Sequence, residues 1–187
     1  TGINVIEMGH ASGLGGNASG VKTAPLSDEE YMDVASPYFQ KAEIGMFCQP
    51  RHVSEQGLEY AAQKKLGFLR VGINAGDSWT AEELIKKISE YGIKVRTSLM
   101  KAYVLSPEKL GEEAKRLEEY GAQAVTIMDS AGYMLPVDVK EYVTKLRNDV
   151  SIPVGFHGHN NLGLSVANGL AAWQAGAQSI DCGIMGM

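Results

Sequence analysis

The chain has few of the features that mark a specialised environment. Among 187 residues there are two cysteines, no Lys/Arg-rich run, and no apolar run near the roughly 18 residues that a membrane helix needs. The diffuse net charge of −5 supplies no electrostatic footprint for nucleic acid. No signal-peptide pattern opens the chain, so a soluble, cytoplasmic protein without membrane contact is expected. Cys48 and Cys182 each end an apolar run rather than forming a spaced framework, which predicts buried free thiols in a reducing compartment. With 44% hydrophobic and 21% charged residues, the sequence has the balance of a globular domain.

What is present is a repeated unit. Strands are predicted over residues 4–8, 43–48, 68–73, 94–99, 124–128, 154–157 and 179–182, from short apolar runs with turn signals on either side. Helices are predicted over residues 27–40, 53–66, 80–91, 106–120, 136–147 and 161–175 from their apolar spacing. Ser27 with Glu30, and Thr80 with Glu83, have capping-box spacing, while Ser106 precedes a proline suited to the first helical position. Gly67, Gly92, Gly121 and Gly176 stand where a left-handed residue would close a helix before the next strand. Thr1-Gly2-Ile3 repeats that joint, and the chain closes just after a strand, so both ends are expected to be cut. Strict strand–helix alternation at roughly 25 to 30 residues per unit suits either a (β/α)₈ barrel or a doubly wound sheet.

The residues with most chemistry lie near the C-terminal end, in Pro153-Val154-Gly155-Phe156-His157-Gly158-His159-Asn160-Asn161-Leu162-Gly163. Side chains two apart on a strand share a face, so His157 and His159 project together where a strand hands over to a helix. That is where active sites of parallel α/β proteins are built. Two imidazoles make up part of a metal site; exposed loop histidines are the alternative. His10 is either a catalytic group or a satisfied polar residue at a strand end. Asp129 and Ser130 either line a pocket or cap a turn. Glu7 and Arg70, both in strand runs, are expected to form an interior ion pair. Trp173 is expected to pack in the core, as are Met8, Met46, Met100 and Met128. Residues 13–18 fit a dinucleotide fingerprint, but Gly20 and Pro25 intervene before any helical pattern, which argues against it.

The run from His157 to Gly163, with Ala167-Asn168, resembles the HxHN signature of the DRE-TIM metallolyases. Within that superfamily, Ile6-Glu7-Met8-Gly9-His10, Gly13-Leu14-Gly15-Gly16, Asp129-Ser130-Ala131-Gly132 and Met134-Leu135-Pro136 resemble the 4-hydroxy-2-oxovalerate aldolase family. The resemblance implies an α/β fold, a TIM (β/α)₈ barrel that is incomplete, with strands 2–8 present, in one partial aldolase (pyruvate carboxyltransferase-like) domain over residues 1–187. It implies a class II carbon–carbon lyase, of the kind found in aromatic catabolism, that cleaves a 4-hydroxy-2-keto acid to pyruvate and an aldehyde. The cofactor would be a divalent metal, Mn²⁺ first and Mg²⁺, Co²⁺ or Zn²⁺ otherwise, held by His157 and His159. His10 would be catalytic, Asp129 and Ser130 would bind the substrate carboxylate, and Glu7 would hold an arginine. The family's first strand carries an aspartate ligand, that arginine and an acid/base histidine, and none of the three is in this sequence. The chain alone is therefore expected to bind metal weakly and to be an incomplete catalytic unit. An acylating aldehyde dehydrogenase is the implied partner, and a homodimer would cover an open barrel edge. The alternatives are another superfamily member, resembling HMG-CoA lyase or an acyl-transferring synthase, and an inactive fragment.

Overall fold

A computed structural model of the chain describes residues 2–10, 12–19 and 24–183. Part of the loop at residues 17–26 and the end at 186–187 therefore lie outside the described residues. The described strands are β1 (Val5–Met8), β2 (Glu43–Cys48), β3 (Phe68–Asn74), β4 (Lys94–Met100), β5 (Val125–Asp129), β6 (Val154–Gly158) and β7 (Ser179–Ile180). They alternate with α1 (Asp28–Ala35), α2 (Glu55–Gln63), α3 (Glu82–Glu90), α4 (Pro107–Glu119), α5 (Pro136–Asp149) and α6 (Ser165–Gln174). Strand order in the sheet is chain order. A doubly wound sheet reverses its order midway, so the ordering selects the (β/α)₈ type of fold.

Two compact units divide the chain, one from Thr1–Gly72 with Glu83–Arg96, the other from Ile73–Glu82 with Thr97–Met187. In the first, β1 pairs in parallel with β2, and β2 with β3, with Glu7 opposite Gly45 and Phe47 opposite Arg70. Its core is built from Met46, Leu58, Leu69, Ile85 and Ile88, all essentially inaccessible. In the second, β5 lies parallel between β4 and β6, with Leu99 opposite Ile127 and Met128 opposite His157. Leu110, Leu117, Val139, Val143 and Leu146 bury one stripe each of α4 and α5 against that sheet.

Local signals explain most helix boundaries. Ser27 Oγ accepts from the Glu30 amide while Glu30 accepts from the Ser27 amide, which is the expected capping box. Ser106 caps α4, with Pro107 at its first position. Helix α1 stops at Ala35, short of residue 40, and continues as a 3₁₀ turn over Ser36–Tyr38. Pro37 has no N–H for the Asp33 carbonyl, and the Ser36 hydroxyl donates to that carbonyl instead at 2.9 Å. Thr80 does not cap α3: its hydroxyl donates to the Asp77 carbonyl within a 3₁₀ turn, and the helix starts at Glu82. Gly92, Gly121 and Gly176 take positive φ as expected, but Gly67 does not. Lys65 is the left-handed residue there, at φ 59°, and Gly67 is needed because a Cβ would sit 2.9 Å from the Ile44 carbonyl oxygen. A 3₁₀ turn over Gly16–Ser19, not an α-helix, follows the glycines of the apparent dinucleotide fingerprint. Cys48 is buried, and burial pushes its thiol far above the ordinary range, whereas Cys182 is exposed, contrary to expectation. Trp173 is 66% exposed rather than packed, because the buried face of α6 belongs to Asn168, Gly169, Ala171 and Ala172.

Among the described residues of the second unit, one acid on a helix is buried. Glu113 of α4 accepts from the Ser78 and Gly76 amides at 2.9 and 3.2 Å and from Arg116 at 2.5 Å. Burial acts to raise its pKa, but the Ser78 amide and hydroxyl and the Arg116 guanidinium outweigh burial and hold it below the ordinary 4.5. A depressed carboxyl contributes stability above its unfolded pKa and loses it as pH falls through the folded value. Glu113→Gln should therefore cost about 1–3 kcal/mol at pH 7. The gap should narrow as urea unfolding is repeated from pH 5 downward through the carboxylate range; a gap constant with pH would contradict the assignment.

Candidate active site

The C-terminal ends of β4, β5 and β6 bring several polar side chains of the second unit together. His157 is in β6 and His159 just beyond it; their ring centroids are 5.2 Å apart with planes tilted by 52°. His157 Nδ1 lies 3.0 Å from Asp181 Oδ2. A carboxylate can only accept, so it fixes the proton of a neutral ring on Nδ1 and turns the Nε2 lone pair outward, as is usual for a metal-binding imidazole. Asp181 is placed by its own amide, which donates to the Phe156 carbonyl at 3.0 Å. Asn160, next to His159, starts α6: its Oδ1 accepts from the Ser165 amide and hydroxyl at 3.1 and 2.8 Å.

Asp129, at the end of β5, is fully buried. Its two carboxylate oxygens accept from the Tyr133 and Met134 amides at 3.1 and 2.9 Å, and its carbonyl accepts from the Gly132 and His159 amides. One residue thus ties its own loop to the histidine strand. Gly132 makes this possible: at φ +59° it takes the left-handed conformation, and a Cβ would lie 2.6 Å from the Asn161 nitrogen. Asn168 of α6, also buried, donates to the Met134 carbonyl at 2.8 Å. The Ser130 hydroxyl accepts from the Lys101 amide at 2.9 Å, which leaves its own proton to be donated. Lys101 holds a left-handed backbone, φ 56°, at the end of β4.

The first unit holds the remaining candidates. Glu7 and Arg70 pair as expected, 2.6 Å apart, but the pair is not interior: Arg70 is buried, whereas Glu7 lies on an exposed stretch of β1. His10 is buried, and its Nδ1 accepts from the Ser12 amide at 2.9 Å, so a neutral His10 carries its proton on Nε2 and is a donor there. Asp28 accepts from the Gly15 amide at 2.7 Å; burial raises its pKa against the opposing pull of that amide.

The HMGL-like family matches residues 2–187. The chain belongs to the HMGL-like family. Among curated relatives, it is 40% identical over 181 residues to a 4-hydroxy-2-oxovalerate aldolase of Serratia proteamaculans, covering 97% of this chain and 54% of the relative. It is 41% identical over 180 residues to the protein of the same name from Carboxydothermus hydrogenoformans, covering 96% and 54%. The chain thus spans about half the length of the curated relatives it matches. The carboxyl transferase domain of Rhizobium etli pyruvate carboxylase, solved with pyruvate and biocytin, shares the fold at a TM-score of 0.75 and 19% identity, over 84% of this chain and 29% of that one.

Among the described residues no group of three His, Cys, Asp or Glu side chains is arranged to hold a metal. The paired imidazoles, with His157 backed by Asp181, fit the nitrogen share of a divalent site and leave its oxygen share unfilled. The sequence reading did not single out Asp181. Its one signal is that it is an acid within the strand predicted over residues 179–182, on which no motif falls.

Replacing Asp129 by Asn would set an amide NH₂ against one of the two backbone N–H donors. Asp129→Asn should destabilise the second unit by about 2–3 kcal/mol. Hydrogen exchange should accelerate at the Tyr133 and Met134 amides, with Ser130→Ala as a mild comparison. Unchanged protection at both amides would show that the carboxylate is not the clamp.

Proposed function

We propose that the chain carries the metal-binding half of a class II pyruvate aldolase, which cleaves a 4-hydroxy-2-keto acid to pyruvate and an aldehyde. The observation that carries this reading is the pair His157 and His159 at the end of β6, with Asp181 on His157, in a chain whose relatives bear the aldolase name. His157 and His159 would hold a divalent cation, with Mn²⁺ the first choice. When bound, such a cation polarises the 2-keto oxygen and offsets the charge that develops as the carbon–carbon bond breaks.

The other residues act by holding and donating. Asp181 keeps the His157 ring oriented. Ser130 donates its hydroxyl proton to the substrate carboxylate, and Asp129, which would line the same pocket, shapes it through the loop amides it holds. Glu7 orients the Arg70 guanidinium. His10, with its proton on Nε2, is the proposed catalytic group, donating a hydrogen bond to a substrate oxygen on which charge develops during cleavage.

A cytoplasmic setting belongs to the same reading, because both cysteines are free thiols and no helix of the described residues is long and apolar enough to cross a membrane. A homodimer, and an acylating aldehyde dehydrogenase that consumes the aldehyde, are the proposed partners. The unfilled oxygen share of the site favours weak cation binding by this chain alone, and a protein of the relatives' full length is the fair comparison.

Mn²⁺ binding followed by calorimetry, together with pyruvate release, tests the reading. In the longer protein, His157→Ala and His159→Ala should each abolish metal-dependent release. Asp181→Asn should weaken metal affinity about 10- to 100-fold. Full activity in either histidine variant would refute the proposed ligands.

A further inference from the structure

We propose that Tyr103 and Tyr133 form the wall that selects the substituent on the hydroxyl-bearing carbon of the substrate, and that they favour an apolar one. The proposal rests on the aldolase reading and adds a specificity element to it. The two rings meet edge to face, with centroids 5.7 Å apart and planes at 64°. Tyr103 stands on the turn that follows β4, and Tyr133 on the loop that follows β5, three residues after Ser130. Tyr133 is 62% exposed, and its neighbours in the two turns, Val104 and Leu135, are 56% and 48% exposed.

Exposure of this kind is ordinary on a mobile loop, but these turns are fixed. The Tyr133 and Met134 amides are held by the buried Asp129 carboxylate, and the Met134 carbonyl is held by the buried Asn168 side chain. The Tyr103 turn is rooted in the left-handed Lys101, whose amide donates to Ser130, and the Tyr142 hydroxyl donates to the Leu105 carbonyl at its far end. Two buried polar side chains and one strained backbone position therefore hold an aromatic pair, its Tyr133 ring largely exposed, on the two loops that also carry Lys101 and Ser130. Strain and buried polar groups concentrate where a structure needs preorganisation. An aromatic pair offers an edge and a face to an alkyl or aryl group, and it offers no charge. Ser130 takes the carboxylate end of the keto acid, so the rings are left for the end that departs as the aldehyde.

Chain-length selectivity provides the test. Binding of pyruvate, and of 4-hydroxy-2-keto acids ending in methyl or in propyl, would be measured by calorimetry with Mn²⁺ present in a protein of the relatives' full length. The protein should prefer the propyl compound by about tenfold or more, since each methylene in an apolar site is worth a factor of that order. Tyr133→Ala and Tyr103→Ala should collapse this ratio towards one, and Tyr133→Phe should retain it. Tyr133 is mostly exposed, so its variants should fold, and their melting temperatures check that they do. A ratio that survives in both alanine variants, or a protein that binds pyruvate with no length preference, overturns the wall alone. Length preference without any pyruvate binding overturns the aldolase reading and leaves the two rings as an apolar selector for another ligand, and binding of none of the compounds overturns both.

Discussion

Asp129 ends β5 with a carboxylate shut away from water, and an ionised group there is tolerated only when donors meet its oxygens. The donors are backbone amides of its own loop, so the cost of burying the charge is offset by fixing the chain at Tyr133 and Met134. The Asp129 carbonyl reaches the His159 amide as well, which registers the loop of one strand against the end of the next. The order that results extends outward: Gly132 fits only because it has no side chain, Asn168 closes the far side, and the Ser130 hydroxyl is held by the Lys101 amide. Several of the residues that the proposed chemistry uses are thus held by backbone groups that one side chain organises.

How far the sequence revealed this can be judged from particular residues. Element types followed from alternation, because a period of two or of 3.6 survives whatever the tertiary partners are; strand order did not, since alternation also suits a doubly wound sheet, and only the family resemblance pointed to the barrel order. The Ser27–Glu30 box was readable because both partners are local. Thr80 shows where local reading ends: its spacing to Glu83 fits a cap, yet Glu113, distant in sequence, takes the Ser78 amide and holds that segment in a 3₁₀ turn. Gly67 was assigned the left-handed position that Lys65 occupies, since close approach to Ile44 is a contact between strands that no local pattern encodes. Trp173 was expected inside from its place on the last helix and Cys182 from its place at the end of an apolar run, whereas exposure depends on which face of α6 is buried and on the residues around the end of β7.

At the candidate site the motif disclosed the residue types and left their bonding hidden. His157 and His159 were readable from their spacing; Asp181, 24 positions from His157, was not. Asp129 and Ser130 were readable as a polar pair at a strand end, but turn-capping and substrate contact were alternatives that sequence could not separate. The structure shows the capping bonds of Asp129 and a Ser130 hydroxyl that accepts from the Lys101 amide. Tyr103 and Tyr133 carried no signal at all, because their meaning lies in a contact between two loops.

The proposed chemistry requires His157, in β6, and His159, just beyond it, to present two imidazole nitrogens to a single cation while Asp181 keeps the His157 ring in place. Anomalous diffraction at the manganese edge, from crystals grown with Mn²⁺ and pyruvate, tests it most directly. The account predicts one peak bonded to Nε2 of both His157 and His159, with His157 Nδ1 still facing Asp181. A peak bonded to neither ring, or to His157 through Nδ1 with Asp181 displaced, would contradict it.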